Sequence, residues 1–119
     1  MSIRTCLASL LLLLFVGMAA AETPKTPLFV VHFETGPAWD KSLEPGAQPQ
    51  FREHSANLNQ LRKSGAISFG ARYEQFGMIF LKAESLDGAK AILDLDPGVK
   101  SGLFVYRIAA LNVFYPWQE

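Results

Sequence analysis

The stretch Ala66-Ile67-Ser68-Phe69-Gly70-Ala71-Arg72-Tyr73-Glu74-Gln75-Phe76-Gly77-Met78-Ile79-Phe80-Leu81-Lys82-Ala83 decides the fold. Ala66 to Tyr73 and Phe76 to Ala83 are rich in aromatic and aliphatic residues. The Glu74-Gln75 step between them is a short turn, so the stretch reads as two adjacent strands. On its N-terminal side the sequence predicts a helix that begins near Pro49, a residue suited to a first helical turn. That helix stops at Gly65, after Arg62 and Lys63. On the C-terminal side Ser85 fits the N-cap of a second helix, Leu86 to Leu95, which Pro97 ends. Farther out, Leu28-Phe29-Val30-Val31-His32-Phe33-Glu34 reads as a first strand and Leu103 to Val113 as a last one. Thr35 to Ala47, with Gly36-Pro37 and Pro45-Gly46, reads as a long loop.

The resulting order, β-α-β-β-α-β, predicts an α+β fold of the ferredoxin-like kind: a four-stranded antiparallel sheet with two helices on one face. A sheet half exposed to water should alternate apolar and polar residues. Phe76-Gly77-Met78-Ile79-Phe80-Leu81 and Leu103-Phe104-Val105-Tyr106 are instead apolar at nearly every position. The second face is therefore expected to be covered as well, most simply by another copy of the chain in a homodimer.

Residues 1–21 carry a different pattern. Arg4 is followed by the apolar run Leu7 to Met18 and then by Ala19-Ala20-Ala21, the layout of a secretory signal peptide cleaved before Glu22. The run falls short of the roughly 20 residues of a spanning helix. The expectation is a secreted or periplasmic protein, free of the membrane once cleaved. Residues 22–27 would form a flexible lead-in, and residues 28–115 a single domain. Cleavage removes Cys6, the only cysteine, so the domain must fold without disulfides. The 11 Lys and Arg balance the 11 Asp and Glu, and no basic stripe is present. Nucleic-acid binding therefore has little electrostatic support.

Chemistry is concentrated in two segments, Gln48-Pro49-Gln50-Phe51-Arg52-Glu53-His54 and Asp96-Pro97-Gly98-Val99-Lys100-Ser101-Gly102. At about 100° per residue, Phe51, Ser55, Leu58 and Leu61 share one helix face with His54 among them. His54 thus leans toward the core, where a histidine can be either a packed, hydrogen-bonded residue or a reactive one. A carboxylate on one imidazole nitrogen fixes the tautomer and favours the imidazolium. The other nitrogen is then left as an acid or base near neutrality. Such a pair can assist an enolisation, isomerisation or elimination, but amide hydrolysis needs a nucleophile and an oxyanion site as well.

The strand, Gly36-Pro37-Ala38-Trp39-Asp40, the segment ending in His54, Gly65, Asp96-Pro97 and Ser101-Gly102-Leu103 together resemble the YCII-related family. The similarity runs from Leu28 to Val113. It departs from the family pattern at Phe69-Gly70-Ala71-Arg72, where similar chains carry a Gly-Gly-Pro-like turn. The resemblance implies a dimeric α+β barrel. It also implies an active site made from His54 and Asp96. Elimination chemistry on chlorinated aromatic compounds is among the activities linked to the family.

Other candidates surround this pair. Trp39 and Asp40 could close over a substrate from the long loop, or Trp39 could simply pin the loop to the core. His32, in line with Leu28, Val30 and Glu34, could line a cleft or be a packed strand histidine. Arg72 and Arg107 could meet an anionic substrate or form ion pairs at an edge. Trp117 reads as a packing or dimer contact. No H-x-H or H-x-x-x-H spacing occurs, so neither a metal nor another cofactor is expected. Three functions stay open: an acid–base lyase or isomerase acting on a small molecule, a binder of a small hydrophobic or aromatic ligand, and a dimeric accessory protein.

Overall fold

Four strands, three α-helices and one 3-10 turn (Pro45–Ala47) follow one another in the computed structural model, which describes Gly17 and residues 25–119. The elements are β1 (Leu28–Thr35), α1 (Phe51–Lys63), β2 (Ile67–Tyr73), β3 (Phe76–Lys82), α2 (Leu86–Asp94), α3 (Pro97–Lys100) and β4 (Phe104–Ala110). The signal-peptide reading lies outside the described residues. Among the described residues no helix is long and apolar enough to cross a membrane.

The fold is α+β. The strands form one sheet in the order β2-β3-β1-β4, and every neighbouring pair is antiparallel. Element order and strand order are consistent with a ferredoxin-like type. Alternation along β1 sends Phe29, Val31 and Phe33 into the core, while Leu28, Val30 and His32 lie on the other face, partly exposed. Ile67, Ile79, Leu81, Ala83, Ala89 and Leu93 complete the buried cluster. Each fully buried aliphatic side chain there contributes about 1.5–3 kcal/mol. In α2, Ala89, Ile92 and Leu93 recur at helical spacing and face this cluster. Ser85 caps the same helix by accepting a hydrogen bond from the Gly88 N–H at 3.0 Å.

Three boundaries differ from the sequence reading. Pro49 does not enter the helix, because Gln48 to Phe51 close a turn (Phe51 N–H to the Gln48 carbonyl, 3.2 Å) and α1 starts after it. Pro97 does more than end α2. It opens the extra turn α3, with Asp96 as its N-cap. β4 ends at Ala110 rather than Val113, and along it burial alternates: Phe104, Tyr106 and Ile108 pack on the core while Val105, Arg107 and Ala109 are exposed.

A fourth difference reorients the edge strand. The β2–β3 register is irregular between Ile67 and Phe69, so Ser68 is an extra residue. Simple alternation would place Ile67, Phe69, Ala71 and Tyr73 on one face. After the bulge, Gly70 pairs with Ile79 and Arg72 with Gly77, so Gly70 and Arg72 take the helix side instead. Arg62 of α1 holds the bulge, its guanidinium donating to the carbonyls of Ile67 (3.0 Å) and Ser68 (3.1 Å).

Candidate active site

His54 is the one buried residue of α1, 7% exposed, and it meets Asp96 across the α1–α3 contact. Its Nδ1 lies 2.6 Å from Asp96 Oδ2. The Asp96 carboxylate, 1% exposed, also accepts from Asn57 Nδ2 at 2.7 Å and from the Val99 N–H at 3.1 Å. Asn57 follows His54 by three residues and so reaches from the same side of the helix. Burial, the largest single influence on Asp96, acts to raise its pKa. The hydrogen bonds from His54, Asn57 and Val99 and the charge of His54 outweigh it, and the pKa is lowered. Asp96 is therefore ionised near neutrality and can only accept, so Nδ1 carries a proton.

One backbone feature makes this approach possible. A Cβ on the buried Gly98 would stand 2.9 Å from both Cβ and Nδ1 of His54 and 3.0 Å from Asp96 Oδ2. Only glycine leaves room for the imidazole there. Phe104 at 4.5 Å and Phe33, edge-on at 5.4 Å between ring centres, hold the ring from its other sides. Nε2 has no hydrogen-bond partner among the described residues, and it is not among their fully buried unsatisfied atoms, so it keeps access to solvent.

Beside the ring lies a cavity of about 660 Å³ between the sheet and α1, which His54 lines together with Phe33, Trp39, Phe51, Ile79 and Phe104. The volume falls in the usual range of small-molecule sites. Gly70 and Gly77 also line it, and the missing side chains leave space. Trp39 is half-buried with its ring 5.7 Å from that of Phe104, and it forms part of the wall. The loop bearing it is anchored to the turn just before β4: the Gly36 N–H donates to the Leu103 carbonyl (2.7 Å) and the Ala38 N–H to the Gly102 carbonyl (3.0 Å). Gln48, 3% exposed, clasps the rest of the loop through the Asp40 N–H and the carbonyls of Asp40 and Leu43.

The structure brings His54, Asp96, Trp39 and Arg72 to this place, Asp96 from behind the imidazole and the others in the lining. It does not bring Asp40 or His32. The Asp40 carboxylate turns to Ser42, whose side-chain and backbone hydrogen bonds lower its pKa. His32 is on the opposite sheet face, with Nδ1 2.7 Å from the Tyr73 hydroxyl and Nε2 3.1 Å from Glu34. Arg107 is there too, 3.1 Å from Glu34. Asn57 and Lys41 have no role in the sequence reading, and Gln48 and Gly98 enter it only as members of the two segments that carry the chemistry. Asn57 carries one signal, its position one turn beyond His54.

A second cavity, about 910 Å³, lies between Phe69 and Phe80 and the C-terminal residues Val113, Tyr115 and Trp117. It holds no group able to exchange a proton near neutrality. Among the described residues no three His, Cys, Asp or Glu side chains gather as metal ligands. No protein-family model matches the chain, and no curated protein matches it.

Proposed function

We propose that the protein is a small-molecule enzyme of the lyase or isomerase type, with His54 Nε2 as the proton-transferring group. The observation that carries this reading is the buried 2.6 Å contact of His54 Nδ1 with Asp96 while Nε2 retains access beside a cavity. With Nδ1 protonated, the neutral ring presents a lone pair at Nε2. It takes a proton from an activated C–H bond, whose electron pair becomes a C=C π bond. In an elimination, a bond on the adjacent carbon breaks and the leaving group carries its electrons away. In an isomerisation, the same proton returns to another carbon. Asp96 holds the ring's orientation and stabilises the imidazolium between the two steps. Such assistance contributes about 10²–10⁴-fold in rate.

The same reading takes the chain as a YCII-related protein with a ferredoxin-like fold, acting as a homodimer and exported with cleavage near Ala21. The spacing of the His54 and Asp96-Pro97 segments supports the first part, and the apolar run Leu7 to Met18 supports export. The apolar wall of the cavity favours one other reading, a non-catalytic binder of an aromatic ligand. Proton exchange separates the two. Wild type, incubated in D₂O with enolisable 2-oxo acids, 1,3-dicarbonyls and unsaturated lactones, should introduce deuterium into at least one of them, as read by proton NMR. His54→Gln should lower that rate by about 100-fold or more. Exchange no faster than buffer across the panel, or an undiminished rate in His54→Gln, would end the acid–base reading.

A further inference from the structure

We infer that the cavity is built for an organic anion with an apolar body, and that Arg72 and Lys41 receive its charge. The inference rests on the active-site reading above and names the substrate class of that site. It begins with the bulge. Arg72 reaches the cavity side only because Ser68 shifts the register of β2 by one residue, and Arg62 fixes that shift with two hydrogen bonds. Directly across the ladder from Arg72 stands Gly77, so no side chain competes for the space above it. A bulge that flips a strand edge commonly re-aims a side chain at a site. Here the re-aimed side chain is a guanidinium, whose planar fork matches a carboxylate.

Charge in the lining is one-sided. Among the described residues Lys41 and Arg72 are its only lysine or arginine side chains, and no aspartate or glutamate lines it. Neither Lys41 nor Arg72 makes an ion pair or side-chain hydrogen bond among the described residues. The carboxylate that contacts His54, Asp96, is occupied behind the imidazole by three donors. The remaining wall is mainly aromatic and aliphatic, including Phe33, Phe51 and Ile79. An unpaired cationic pair beside apolar walls attracts and orients an anion more strongly than the same charges in open water. A carboxylate held there would leave the apolar remainder of the molecule among the aromatic rings that flank His54.

The test uses benzoate and its neutral isostere benzamide, titrated separately into the purified full chain and followed by amide NMR. Neither needs proton transfer to bind, so the result is read independently of whether the acid–base chemistry holds. Benzoate should bind saturably, shifting amides near Phe33, His54 and Phe104, and benzamide should bind about 10-fold more weakly or worse. Arg72→Gln and Lys41→Gln should each weaken benzoate several-fold and leave benzamide unchanged, and Arg72→Lys should restore part of the loss. Raising salt should weaken benzoate alone. Equal affinity for the two probes, no saturable binding of benzoate, or wild-type benzoate binding by both Arg72→Gln and Lys41→Gln would overturn the inference.

Discussion

Asp96 is an ionised carboxylate at 1% exposure, and its three donors are what make that tolerable. Its lowered pKa has a consequence for stability. In the unfolded chain an aspartate titrates near 3.9. The stabilisation from the depressed folded value is fully present above that pH. It is lost as pH falls through the folded pKa. Asp96→Asn keeps the shape and removes the charge, so at pH 7 it should cost about 1.5–3 kcal/mol, the range for hydrogen bonds to a charged group. The gap between wild type and variant should begin to narrow below about pH 4 and go on closing as pH falls through the lowered folded value. Urea melts of both proteins from pH 7 to pH 3 measure this. A gap that does not change with pH would mean that the charge contributes nothing. The Asp-Pro step and the inward lean of His54 were legible in the sequence. Gly98 was not, because its role depends on a 2.9 Å approach of His54 from a helix more than forty residues earlier.

At the scale of elements, the segment before α1 shows where local rules competed. Pro49 suits a first helical turn, but it equally suits the second position of a β-turn, and the turn won. Its cost falls on Gln50, which adopts φ 70° and ψ 3°, a left-handed conformation that L-residues enter at about 1–2 kcal/mol. Gln50 makes no side-chain capping hydrogen bond that would offset this. Gln50→Gly should therefore stabilise the protein by about 0.5–1 kcal/mol, after allowing for glycine's greater freedom in the unfolded chain. Thermal melts should show the rise as a few degrees in Tm. A lower Tm would show that the Gln50 side chain holds the turn in some other way. The elements themselves were readable from periodicity and caps, with Ser85 and Gly65 where expected. The bulge at Ser68 was hidden, since Ile67-Ser68-Phe69-Gly70 keeps the alternation of an ordinary strand. Yet that one residue decides whether Arg72 or Tyr73 faces the site.

Across the whole molecule, the sheet has one face under the helices and one without them. The second face presents Phe69, Tyr73 and Val105 at 40–46% exposure, and the C-terminal Phe114, Tyr115 and Trp117 are more exposed still, at 79–86%. Single chains seldom leave so much clustered aromatic surface in water. The apolar runs in Phe76–Leu81 and Leu103–Tyr106 led to the expectation of a dimer, and the alternation seen in β4 narrows which residues would form it. Phe104 and Tyr106 belong to the core, so Val105, with Phe69 and Phe80 farther across the sheet, is left to the other face. That face is not uniformly apolar. His32, Tyr73, Glu34 and Arg107 form a hydrogen-bonded island on it, which would set the register between two copies rather than supply their affinity. Wild type should therefore sediment as a dimer at micromolar concentration. Val105→Glu would bury an unpaired charge at the contact. It should shift the protein to monomer while circular dichroism stays that of the folded chain, since Val105 takes no part in the core. A wild type that sediments as a monomer throughout the micromolar range would mean that the open face needs no second copy. The C-terminal aromatics would then have to cover it within one chain.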